Sequence, residues 1–78
     1  MNNKTVEDLN VGQSGIISAI DAPKEIKRRL MDMGFTRGIR VDVIKKAPMG
    51  DPLEVGIRGY NICIRKEQAA NLMLKESI

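Results

Sequence analysis

Apolar residues follow two rhythms along this chain, and each change of rhythm marks an element. Met1 to Thr5 is polar and expected to fray, and Val6 to Leu9 reads as an extended lead-in before turns at Gly12 and Gly15. From Gly15 to Ile20 the β-branched Ile16, Ile17 and Ile20 predict a largely buried strand, because branched Cβ atoms lose little freedom in a pleated backbone. Asp21, Ala22 and Pro23 then predict a helix start, with the aspartate as N-cap and the proline where an N–H would have no partner anyway. The helix is expected from about Ala22 to Met33. Ile26, Leu30 and Met33 recur at i, i+4 and i+7 as its buried stripe, and Lys24, Lys27, Arg28 and Met31 lie on another face. Gly34 should end the helix in a left-handed conformation, with Phe35 folding back onto Leu30.

Beyond Gly38 the period becomes two. Ile39, Val41 and Val43 alternate with Arg40 and Asp42, which predicts a strand with one wet face from Ile39 to Lys45. Ala47 to Pro52 holds two prolines and a glycine and reads as a loop. Leu53, Val55 and Ile57, a turn at Arg58-Gly59, and Tyr60, Ile62 and Ile64 predict a hairpin. Gly56 interrupts that pattern and marks a bulge, a close backbone approach or a simple lapse in packing. Glu67 to Asn71 reads as a helical turn, and Leu72 to Leu74 as a last brief strand.

Five short strands with one helix between the first two predict a mostly β fold, an antiparallel sheet curled into a small SH3-like barrel. With 78 residues, the expectation is one domain, 1–78, with a thin apolar core. Charge is unevenly placed. From Lys24 to Lys46 eight basic residues face three acidic ones, so this half is positive by five although the whole chain carries only +3. Such asymmetry steers an acidic partner toward one side of the molecule, unless it is simply a solvated face. The lone Cys63 has no partner for an internal disulfide, and no signal-like segment opens the chain, which predicts a cytoplasmic protein. No apolar run approaches the roughly 20 residues of a membrane-spanning helix.

Three separated stretches carry a family resemblance. The run from Arg28 through Leu30, Asp32, Gly34 and Phe35 to Gly38, the run from Ala47 through Pro48, Met49, Gly50, Asp51 and Pro52 to Val55, and the triplet Arg58-Gly59-Tyr60 are similar to the FeoA family, from about Leu9 to Leu74. These are small accessory proteins of bacterial ferrous iron transport. The resemblance implies an SH3-like barrel in the cytoplasm and, as partner, the membrane iron transporter FeoB, whose cytoplasmic portion carries a GTP-binding domain. Similar folds occur as C-terminal domains of iron-dependent repressors, but no helix-turn-helix accompanies this one.

The side-chain inventory narrows the chemistry. With no histidine and one thiol, the chain lacks the nitrogen and sulfur ligands that ferrous iron or zinc prefers, and the pairs Asp51 with Glu54 and Glu7 with Asp8 offer at best a weak carboxylate site. No imidazole serves Ser14, Ser18, Thr36 or Cys63, so an enzyme is not expected, and no metal or cofactor is assigned. Gly12 and Gly15 lack the Lys-Ser/Thr pair of a phosphate loop. Arg28, Arg29 and Arg58 are candidates for an arginine supplied to a partner's phosphoryl transfer, or they merely cover apolar surface. Nucleic-acid binding is the rival class, weakened because Phe35 and Tyr60 are the only aromatics.

Contact with another protein remains. Met31, adaptable and surrounded by Lys24, Lys27 and Arg28, is an anchor candidate or a flank of the core. Met49, with Asp51 in the Pro-rich loop, is a second anchor or a lid on the barrel. Sheet edges and apolar patches also admit a weak homo-oligomer.

Overall fold

The computed structural model describes residues 4–75. A 3-10 turn, Val6–Asp8, precedes β1 (Ser14–Ile20), α1 (Lys24–Asp32), β2 (Arg40–Lys46), β3 (Leu53–Ile57), β4 (Tyr60–Ile64), α2 (Lys66–Ala70) and β5 (Leu72–Leu74). The five strands form one antiparallel sheet in the order β4-β3-β2-β1-β5. The expected mostly β architecture is thus present, with α1 between the first two strands and α2 before the last. The sheet curls without closing. Its corner is β1, whose first half, Ser14 to Ile16, pairs with β2, and whose second half, Ile17 to Ile20, pairs with β5 across an irregularity between Ile17 and Ala19.

Alternation sets the core. Leu53, Val55 and Ile57 point inward from β3 and Val41 and Val43 from β2, all fully buried, and Ile17, Leu30, Phe35, Ile64 and Leu72 complete the same cluster. The lead-in is not extended as expected. Thr5 N–H donates to the Asp8 carboxylate at 2.9 Å, the reciprocal half of a capping box, and so winds Val6 to Asp8 into a turn that drops Val6 and Leu9 into the core. That turn packs on α2 and β5. The expected fraying of Met1 to Thr5 falls partly outside the described residues; Lys4 and Thr5 run beside β5, where Leu74 N–H donates to the Lys4 carbonyl at 2.8 Å.

The helix begins later than its cap signal suggests. Pro23, extended at ψ 154°, occupies the N-cap position, no side chain caps α1, and the backbone N–H of Asp21 instead donates to Asn71 O at 2.8 Å. A proline biases its predecessor toward extended backbone, which moves the start past Asp21 and Ala22 to Lys24. The other end follows expectation. Gly34 has φ 109°, its N–H donates to Met31 O at 3.0 Å, and Phe35 N–H donates to Leu30 O at 3.1 Å, the paired bonds of a Schellman motif. Leu30 and Phe35 are both fully buried there.

In the second hairpin Arg58 and Gly59 have φ 49° and 88°, the two left-handed positions of a two-residue turn whose twist matches its strands. The irregularity lies on β2, between Val43 and Lys45, so Ile44 turns outward and is 44% exposed. Among the described residues no backbone closes on Gly56; its neighbours are side chains, and a Cβ there would stand 3.3 Å from Asn61 Oδ1 and 3.4 Å from Ile44 Cδ1. No helix among the described residues is long and apolar enough to cross a membrane.

Candidate partner-docking surface

Helix α1 buries little of its surface. Of its nine residues Leu30 alone is buried. Tyr60 Oη donates to the Met33 carbonyl at 2.7 Å, which joins the C-terminal end of α1 to the tip of the β3–β4 hairpin. The expected stripe therefore holds at Leu30 and Met33, which packs on the core, and weakens at Ile26, which is 39% exposed and lies outside the core cluster.

Steps of about 100° per residue place Lys27, Met31, Lys24 and Arg28 side by side within an arc of about 100°. Glu25 and Asp32 fall on the adjoining strip and not within it. All four arc residues are exposed, Met31 by 45%. The ion pairs among the described residues are Arg40–Asp42, Arg65–Asp51 and Lys66–Glu7, and none of them engages a cation of α1. The result is an adaptable thioether ringed by three free cations, suited to an acidic surface with a shallow apolar recess.

Met49 does not lid the barrel. It is 86% exposed at the tip of the β2–β3 loop, where Gly50 N–H donates to Ala47 O at 2.7 Å. Asp51 is engaged within the chain: its Oδ1 accepts the Lys66 N–H at 2.9 Å, satisfying an unpaired donor of α2. This loop precedes β3, whereas Met31 sits by the turn that follows it. A five-residue strand of about 15 Å thus separates the two sets, which do not form one contiguous patch. Sequence reasoning missed Ile26 as an exposed residue and Tyr60 as the tie between hairpin and helix; the i+4 spacing of Ile26 and Leu30 gives no hint of how far a helix leans from its sheet.

The carboxylates are dispersed. Asp51 faces α2, Glu54 Oε2 accepts from Asn61 Nδ2 at 3.0 Å, Glu7 pairs with Lys66 at 3.6 Å and Asp8 holds Thr5. Among the described residues no three of His, Cys, Asp and Glu come together as a metal site would require. Cys63 is exposed.

Residues 4–76 match the FeoA domain family. The chain belongs to the FeoA family. A curated relative, the Fe(2+) transport protein A/Fe(2+) transporter FeoB fusion protein of Porphyromonas gingivalis, is 30% identical over 67 residues, 86% of this chain but only 8% of that much longer protein. Two solved FeoA structures share the fold. The FeoA-like protein of Clostridium acetobutylicum superposes with a TM-score of 0.86 at 29% identity, covering 96% of this chain and 88% of that one. FeoA of Stenotrophomonas maltophilia, solved with zinc and described as a prokaryotic SH3 domain protein, gives a TM-score of 0.80 at 26% identity over 92% and 89% of the two chains. The expected FeoA membership and SH3-like fold are both correct, and the three quoted motifs lie on the end of α1, the β2–β3 loop and the hairpin tip of this FeoA domain.

Proposed function

We propose that this FeoA domain is a non-enzymatic accessory protein of bacterial ferrous iron uptake, working in the cytoplasm by contact with the cytoplasmic part of a FeoB-like transporter. The observation that carries this reading is the Porphyromonas gingivalis fusion, in which a domain 30% identical to this chain shares one polypeptide with a FeoB transporter. Fusion holds two domains at a high effective concentration, which suits domains that work by contact. The α1 arc of Lys24, Lys27, Arg28 and Met31 is the docking surface, with Met49 and Asp51 in the β2–β3 loop as a second, separate contact. Nucleic acid fits less well, because Phe35 is fully buried and Tyr60 alone has ring surface to stack on.

Calorimetry with the cytoplasmic domains of the transporter tests the reading. The unmodified chain should bind, Met31→Asp should weaken binding about tenfold or more, and Met49→Asp should weaken it less. Absence of binding, together with normal iron uptake by a strain carrying both substitutions, would overturn it. An affinity for single-stranded oligonucleotide that falls steeply with salt would favour the nucleic-acid alternative.

A further inference from the structure

The two edges of the sheet are unlike. Along β5 the outer edge is occupied, since Thr5 pairs with Met73 and Leu74 N–H donates to Lys4 O at 2.8 Å. Along β4 no backbone partner beyond β3 exists among the described residues. Residues Tyr60 to Ile64 include no charge and no proline, the usual guards of an exposed edge.

Hydrogen-bond parity shows what this edge offers. In a two-residue hairpin the pair next to the turn, Ile57 with Tyr60, exchanges both backbone bonds, and bonded pairs then alternate along the ladder. Tyr60, Ile62 and Ile64 therefore bond to β3, and Asn61 and Cys63 turn their N–H and C=O groups outward. The β2–β3 ladder agrees, because Ala47 N–H donates to Pro52 O at 3.1 Å in the same phase. Both outward residues are exposed.

We propose that the β4 edge is a docking site for an extended segment of a partner protein, uncharged at its centre and acidic at both flanks, which adds to the sheet as another strand. The flanks follow from Arg58 before β4 and Arg65 after it, both exposed. Arg65 approaches Asp51 only at 3.9 Å and keeps 65% of its side-chain exposure. A second copy of this chain is the wrong occupant. Pairing β4 with itself about Ile62 uses Asn61 and Cys63 of both copies but sets Arg58 of each beside Arg65 and Lys66 of the other, like charges at both ends. An acidic-flanked strand makes the same backbone bonds and reverses that sign. The site draws on no residue of the α1 arc and stands or falls without it.

The test titrates the isotope-labelled chain with a capped peptide, EETVTVTEE, and with its lysine-flanked analogue KKTVTVTKK, following amide signals by NMR. The acidic peptide should produce its largest, saturable shifts at Asn61 and Cys63, and bind about fivefold or more tighter than the analogue. Arg58→Asp combined with Arg65→Glu should invert that preference. Asn61→Pro removes an outward donor without touching a backbone bond to β3, at the loss of the side-chain bond to Glu54, and should weaken the acidic peptide about fivefold; should it perturb folding, the charge inversion decides. Shifts centred on α1, no shifts at millimolar peptide, or equal binding of the two peptides would overturn the proposal. So would a dimer seen by sedimentation without peptide whose Asn61 and Cys63 amides resist exchange.

Discussion

The sheet and α1 are made from similar apolar residues and use them in opposite ways. Strand β3 buries Leu53, Val55 and Ile57 almost completely, whereas α1 buries Leu30 and leaves Ile26 and Met31 39% and 45% exposed. The fully buried contacts of the helix lie at its last turn, through Leu30, the Gly34 reversal, Phe35 and the Tyr60 hydroxyl. Stability is therefore concentrated where strand meets strand and at that one joint. The outer turns of α1 contribute little to it, and their cations are left for something outside the chain.

Four substitutions probe this contrast, and the largest effect belongs to the joint. Phe35→Ala empties the largest fully buried side chain beneath α1 and should cost about 4 kcal/mol, read as a lower urea midpoint. In so small a domain that loss approaches the whole folding free energy, so a population unfolded in buffer is the expected limit. Gly34→Ala follows. It forces a Cβ onto φ 109°, 2.8 Å from Tyr60 Oη and 3.1 Å from Ile57 Cδ1, and should cost about 2 kcal/mol. An unchanged thermal midpoint in either variant would mean that α1 is anchored elsewhere.

Much of this joint is legible in sequence because its causes are local. Gly34 and Phe35 announce a helix end through residues five apart, and Arg58-Gly59 announces a hairpin through two adjacent left-handed positions. What eludes sequence depends on distant partners. The pattern at Ile26 is correct for a helix, but its exposure depends on how α1 leans. Asp51 reads as a free loop carboxylate until α2, fifteen positions on, supplies the N–H that it accepts. Thr5 and Asp8 carry a local capping signal at the correct spacing, which the turn uses, although Val6 and Leu9 alone suggest extended backbone. Of the docking candidates, the Met31 arc follows from helical spacing alone, whereas its separation from Met49 needs the order of strands.

Tyr60→Phe sharpens the comparison further. It removes the 2.7 Å bond to Met33 O and leaves the ring in place, so a loss of about 1 kcal/mol is expected, smaller than for a buried bond because Tyr60 is 47% exposed. Amide exchange should localise the effect, with faster exchange at Gly34 and Phe35 and none added within β3. Equal acceleration throughout the sheet would show that helix and sheet unfold as one unit.

The smallest effect on folding should accompany the largest effect on binding. Arg28→Glu reverses one cation of the α1 arc that takes part in no ion pair of the described residues, so the unfolding free energy from urea titration should stay within about 0.5 kcal/mol of the original. The same change places a carboxylate beside Met31 where an acidic partner would dock, and affinity for the transporter's cytoplasmic domains should fall about tenfold, with the loss shrinking as salt is raised. The two measurements together separate the functions of helix and sheet. A residue that stabilises the fold lowers both the midpoint and binding, whereas a residue kept for a partner lowers binding alone. If Arg28→Glu destabilised the chain as much as Tyr60→Phe, the outer turns of α1 would belong to the fold after all, and the docking surface would have to be sought on the sheet.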